Sequence, residues 1–301
     1  MWIDNTDPFG FGELTEEPEE LIPPESLITR GLLSIEECLE AGAKGVDIPN
    51  EVYHALPGIS GSNLPLLAES NKHLDNKHLF AMSSPSLQLG SLVHTMVLEP
   101  HDVFNRYVVM PRFEGKAKTG MSVANAESIF KQEHRQKAII DAEEFKKAER
   151  MATNVTAICG DIINQGIKER SLFAKVEGLI LKCRLDIDLE DVGDDYDLKT
   201  IALGQKEFSN ATIRSHIIKY RYHWSAALRN AVRRELGKDV RDSYLIFVSS
   251  TPPNMVRVIK IDPAWIEQAE LEVQDLLDNR RFYLQSGSDN TEITTIGNKY
   301  E

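Results

Sequence analysis

The chain has 301 residues, 42% hydrophobic and 27% charged, the range of an ordinary globular protein with enough length to bury a sizeable core. Its three cysteines are too few and too widely spaced for a disulfide framework, a zinc ribbon or an iron–sulfur cluster, and no apolar run is long enough to span a bilayer. The net charge of −13 argues at first against a nucleic-acid partner, but it is segregated: residues 1–50 hold twelve acids and two bases, and residues 205–241 hold nine bases and three acids.

Residues 1–30 are rich in Glu and Pro and poor in periodic apolar positions, which predicts a disordered acidic leader ahead of a single domain over 31–301. The start lacks the basic region and apolar stretch of a secretion signal, so a cytoplasmic location is expected. Ser34, with Glu37 three residues on and Gly42 as a stop, predicts a short capped helix. Ser60–Ser70 and Pro85–Glu99 read as two more helices, the second with Leu89, Leu92, Val93, Met96 and Val97 as a core stripe and Pro100 as its terminator. From Asn125 to about Gln165 an Ala-, Lys- and Glu-rich stretch without Pro predicts one long helix or a helical pair.

After Ser171 the period changes. Ile180–Asp188 alternates strictly, with Leu181, Cys183, Leu185 and Ile187 on one face and Lys182, Arg184, Asp186 and Asp188 on the other, the pattern of a half-buried strand. Asp191–Asp195 reads as a turn and Tyr196–Thr200 as the return strand. A basic helix over about Tyr220–Leu236, strands near Tyr244–Ser249 and Met255–Ile261, and a last helix from Pro263 to about Gln285 complete one mixed α/β domain.

The chemistry-bearing pattern is Asp186, then Asp197-Leu198-Lys199. On an antiparallel hairpin turning near Gly193 the two carboxylates project close together with Lys199 beside them, an arrangement a hard divalent cation relieves of its repulsion. A bare D-x-K also occurs by chance on solvated strand faces. His94 shares a helix face with Gly90, four residues earlier, so a close approach there aims an imidazole at the neighbouring element; a hydrogen-bonded core histidine fits the same pattern. Glu99 reads equally as a helix-end surface acid.

Four segments carry a family resemblance: Glu51–Ser60, Leu89–Pro100, Lys182–Asp186 and Asp197–Thr200. In this order and at similar intervals they match the nuclease domain of RecE, exodeoxyribonuclease VIII. Over about residues 45–285 the chain therefore resembles the RecE-like phage and prophage exonucleases of the PD-(D/E)XK superfamily. The resemblance implies an α/β fold with a restriction-endonuclease-like core, a mixed central sheet flanked by helices and a helical N-terminal half. It implies a Mg²⁺- or Mn²⁺-dependent DNA exonuclease that acts 5′→3′ on double-stranded ends and leaves 3′ tails for a single-strand annealing recombination protein. It further suggests a ring-like homo-oligomer in a bacterial or phage-infected cell.

By the same resemblance His94, Asp186, Asp197 and the Leu198 carbonyl are metal ligands, and Asp186, Asp197 and Lys199 are catalytic. Glu177 and Glu99 are accessory candidates. Relatives place Gln and, four residues later, Tyr after the D-x-K strand, where this chain has Ser225 and Arg229. Arg221, Tyr222, His223, Trp224, Arg229 and Arg233 are then candidates for DNA contact by stacking and phosphate pairing, against a plain helix with Trp224 buried. The alternatives are an endonuclease, a single-strand-trimming nuclease, or an inactive DNA-binding relative.

Overall fold

A computed structural model describes residues 34–80, 84–113 and 122–288, so the acidic leader lies outside the described residues. Ser34 caps the first helix, α1 (Ile35–Ala41), with the reciprocal Ser34–Glu37 box that its sequence predicts. Four short helices and one longer one follow: α2 (Asn50–Ala55), α3 (Leu64–Glu69), α4 (Asn71–Asp75), α5 (Pro85–Leu98) and α6 (Val103–Arg106). Ser84 caps α5, Pro85 opens it, and its whole predicted stripe is buried.

The stretch expected to be one helix or a helical pair is two helices with a strand between them. After β1 (Tyr107–Val109) come α7 (Val123–Glu133), β2 (Ala138–Ile140) and α8 (Ala142–Gln165). The run Ala138-Ile139-Ile140 pairs in parallel with β1, and Asp141 then caps α8. Residues at i, i+3 and i+7 along α8, among them Ala148, Met151 and Val155, pack against the α5 stripe.

The central sheet has five strands in sequence order: β3 (Ile167–Val176), β4 (Leu179–Leu189), β5 (Asp194–Ile201), β6 (Ser243–Ser249) and β7 (Val256–Lys260). All neighbours are antiparallel except β5 and β6, whose parallel pairing requires a crossover. That crossover holds α9 (Asn210–Lys219) and α10 (Tyr222–Glu235), and α11 (Pro263–Ser286) follows β7. Helices α5 and α8 cover one sheet face, packing on Ile187, Tyr196, Leu198, Ile246 and Val248. Helices α10 and α11 cover the other, packing on Leu172, Leu181, Cys183 and Leu185.

Strand β4 departs from the expected alternation at one point. Leu181, Cys183 and Leu185 share the α10–α11 face as predicted, but Ile187 packs on the α5–α8 face. The β3–β4 ladder runs through Lys168–Ile187 and Arg170–Leu185 and skips the opposed residues Glu169 and Asp186. Glu169 has a φ of 54°, which breaks the pleat there, and Asp188 consequently turns to Arg233 on α10. Nor is the polar side of β4 a solvated face, because Lys182, Asp186 and Asp188 are all buried. The three cysteines are buried free thiols. Among the described residues no helix is long and apolar enough to cross a membrane.

Candidate active site

The break in β4 is where functional side chains converge. Hydrogen bonding between β4 and β5 runs from Leu189–Asp194 to Ile187–Tyr196 and stops; beyond it β5 pairs with β6 alone. The Asp186 carboxylate takes over the interrupted ladder by accepting a 2.7 Å bond from the Leu198 amide. The same oxygen lies 2.8 Å from His94 Nε2, and His94 Nδ1 lies 3.1 Å from Glu169 Oε1. One imidazole from α5 thus bridges carboxylates from β3 and β4. Gly90 makes this approach possible, since a Cβ there would stand 3.1 Å from Thr200 Oγ1 on β5.

Asp197 sits on the adjoining strand with a different set of partners. Lys199 Nζ donates to its Oδ1 at 2.6 Å, and Arg229 Nη1 reaches its Oδ2 at 3.4 Å. Arg229 is itself fixed by a 2.8 Å bond from Nε to Asp195. Thus Asp186, His94 and Glu169 form the close cluster, and Asp197 stands beside it, held by Lys199 and Arg229.

Burial alone would raise the carboxyl pKa values of Asp186 and Glu169, but the charge and hydrogen bonding of His94 hold both below the ordinary range. Burial would lower His94, yet the two acids hold it up at about 10. Lys199 is held above its ordinary value because Asp197 and Asp186 outweigh its desolvation, so it is an ammonium at neutral pH.

The donor set fits a divalent cation. His94, Glu169 and Asp186 each offer a ligand atom, all within 4.8 Å of one another. Glu169 Oε1 is buried with the His94 imidazole 3.1 Å away, and the donors are two carboxylates and one imidazole. Sequence reasoning missed Glu169. It lies in the charged run Lys168-Glu169-Arg170, which shows no alternation, and its only signal is its position opposite Asp186 once the hairpin register is known.

Other candidates are placed elsewhere. Glu177 lies in the β3–β4 turn, at the far end of the hairpin from Asp186, where it is exposed and paired with Arg281. Glu99 faces the cleft but is neutralised by a two-pronged pair with Arg106 at 2.7 and 2.8 Å. Trp224 is buried in the core and donates to Glu272, and Arg233 is fully buried against Asp188 and Asp195, so neither presents a surface to DNA. His223 packs between Trp224 and Trp265, and burial lowers its pKa. Arg221 lays its guanidinium over the Trp224 ring.

Tyr222 and Arg229 do face the cleft, an open space of about 2840 Å³ that His94, Glu169, Asp186, Asp197 and Lys199 also line. Ser225 stands where relatives have glutamine, half-buried at the cleft and packed on Gly61, where an added Cβ would lie 2.6 Å from its Oγ.

Residues 59–288 match the model of a PDDEXK-like domain of unknown function (DUF3799), which is more than half of the chain. The chain belongs to this family. Membership agrees with the mixed sheet and helical layers described above and makes the fold PD-(D/E)XK-like. Among solved structures, the chain is similar to that of a "Putative exonuclease" from Eubacterium rectale, with a TM-score of 0.55 at 13% identity over 85% of this chain and 97% of the other. At that identity the likeness is one of fold. A second structure, SSO0001, reaches a TM-score of 0.29 at 11% identity over 76% of this chain and 87% of the other, too little to argue from. No curated protein matches the chain.

Proposed function

We propose that the protein is a divalent-metal-dependent deoxyribonuclease that degrades double-stranded DNA from its ends, 5′→3′, leaving 3′ single-stranded tails. The observation that carries the reading is the convergence of His94, Glu169 and Asp186 beside the Asp197–Lys199 pair in an open cleft. His94, Glu169 and Asp186 would hold the ion, with Asp197 and the Leu198 carbonyl as neighbours able to join them. Mg²⁺ or Mn²⁺ bound there supplies a Lewis acid and lowers the pKa of a water.

The side chains contribute the rest. Lys199, kept charged by its acid neighbours, offers an ammonium to the phosphate oxygens as negative charge builds on them. Arg229 fixes Asp197 through the Asp195 bond, so this carboxylate does not reorient when DNA enters. End specificity and polarity rest on the RecE-like resemblance, as do a recombination annealing partner and a homo-oligomeric state.

Linear duplex labelled at either 5′ or 3′ termini, and a covalently closed circle, should be incubated with Mg²⁺, Mn²⁺ or EDTA. The reading expects loss of the linear substrate from its 5′ ends, an intact circle, no reaction in EDTA, and none with Asp186→Asn or Asp197→Ala. A nicked circle would make the enzyme an endonuclease. Undiminished digestion by both variants would remove these residues from catalysis.

A further inference from the structure

We propose that Tyr220 and Tyr222 form a shelf in the cleft on which an unpaired base of single-stranded DNA stacks. This rests on the deoxyribonuclease reading and adds the contact that would hold a free strand next to the acids.

The backbone between α9 and α10 builds the shelf. Arg221 adopts φ 55° and ψ 38°, a left-handed conformation uncommon for a long side chain, and it separates two helices that would otherwise run on. In a continuous helix, residues two apart project from nearly opposite sides. Here the rings of Tyr220 and Tyr222 lie stacked instead, 5.7 Å apart and 19° from parallel. The inner ring is anchored, with Tyr222 packing on Phe247 and Lys199 Nζ standing 5.4 Å from its centre. The outer ring is the more accessible, with Tyr220 47% exposed although it is a large aromatic side chain.

Its surroundings fit a nucleotide. His216 lies 5.4 Å from the Tyr220 ring and Lys219 Nζ lies 5.0 Å from it, and both line the same cleft as Asp186 and Asp197. The Lys219 ammonium stands over the Tyr220 ring as a cation–π partner; a base that stacks there takes its place and frees the ammonium for the adjoining phosphate. Bases in duplex DNA have their faces covered by neighbours, so the shelf selects an unpaired base. Stacking accepts any base, as an enzyme without sequence preference requires.

The test is fluorescence anisotropy in EDTA, where no cleavage occurs, with an oligothymidylate and an abasic strand of equal length. The wild type should bind oligothymidylate on the order of tenfold more tightly than the abasic strand. Tyr220→Leu should abolish that difference by weakening oligothymidylate alone, with its thermal midpoint unchanged, and Tyr220→Trp should restore it. Lys219→Gln should weaken both strands equally. The shelf is overturned if the wild type binds neither strand or does not distinguish them, or if Tyr220→Leu weakens both alike. Cleavage of linear duplex by the wild type is measured in parallel. Base discrimination without cleavage leaves the shelf and removes the nuclease reading; cleavage without discrimination does the reverse.

Discussion

Arg229 is buried, and its guanidinium joins Asp195 at 2.8 Å to Asp197 at 3.4 Å. Removing one partner of such a buried pair leaves an uncompensated charge, at about 3–5 kcal/mol. Arg229→Met should therefore lower unfolding free energy by an amount of that order, read from urea titration. Double replacement with Asp195→Leu should not recover the loss, because Asp195 also faces the buried Arg233 at 3.4 Å and accepts from Ser243 at 2.6 Å, so its removal takes a partner from a second buried charge. A loss below about 1 kcal/mol for the single variant would mean that water already reaches the pair.

Lys182 is a second buried charge, with no carboxylate partner among the described residues. Its Nζ donates to the Tyr53 and Leu56 carbonyls, both at 2.6 Å, and burial pushes its pKa down to about 8 from an ordinary 10.5. Below about pH 8 both folded and unfolded chains hold this proton, and the folded state bears the full cost of the buried charge. Between pH 8 and 10.5 the unfolded chain still holds the proton that the folded chain has shed, so this group's contribution to stability rises with pH. The wild type should gain on the order of 3 kcal/mol relative to Lys182→Met across that window. Parallel pH dependence of the two proteins in denaturant titrations would contradict it.

At the scale of elements, α5 was legible from one regular period, and the β4–β5 hairpin from the alternation of Leu181, Cys183 and Leu185 before the strand breaks at Asp186. The α5 stripe, its Pro stop and the small residue at Gly90 all describe a helix pressed on a neighbour, and the contact with Thr200 gives that neighbour. Gly90→Val should destabilise the fold by about 1–3 kcal/mol through overpacking against β5. Thr200→Ala in the same chain should return part of that loss, a coupling a thermal-melt cycle measures. Additive effects would place the strain elsewhere.

The illegible parts share a physical cause. Strand β3 begins Ile167-Lys168-Glu169-Arg170, charged on both faces, because Glu169 answers His94 and Arg170 answers Asp188 rather than solvent. Strand β2 is three residues long and is held by pairing with β1, which no local pattern announces. The basic helix after the D-x-K strand was read in place, but Arg229 and Arg233 serve acids of the sheet and Trp224 serves the core. Sequence reports that a charge exists and leaves its partner unspecified.

For the whole molecule this matters most in the basic stretch over residues 205–241, which in sequence resembles a phosphate-binding surface. In the fold, Arg233 pairs with Asp188 and Asp195, Arg234 with Glu270, and Lys238 with Glu190, while Arg229 pairs with Asp195 and Asp197. Lys206 and Lys219, which line the cleft, have no ion-pair partner among the described residues. Arg135 and Lys137 line the same cleft, also without an ion-pair partner among the described residues, so with Lys206 and Lys219 about four cations are available to a DNA backbone in a molecule whose net charge is −13, while Lys199 is held by Asp197. Each neutralised phosphate contributes about −0.9 to the slope of log affinity against log salt for duplex DNA, so the slope should be about −4. Binding of linear duplex in EDTA across a salt series reads this directly. A slope near −6 would require the buried arginines to exchange their carboxylates for phosphates. A shallow slope would leave affinity to stacking and shape; at the expected slope, Lys206→Gln and Lys219→Gln should each remove about one phosphate's share of it.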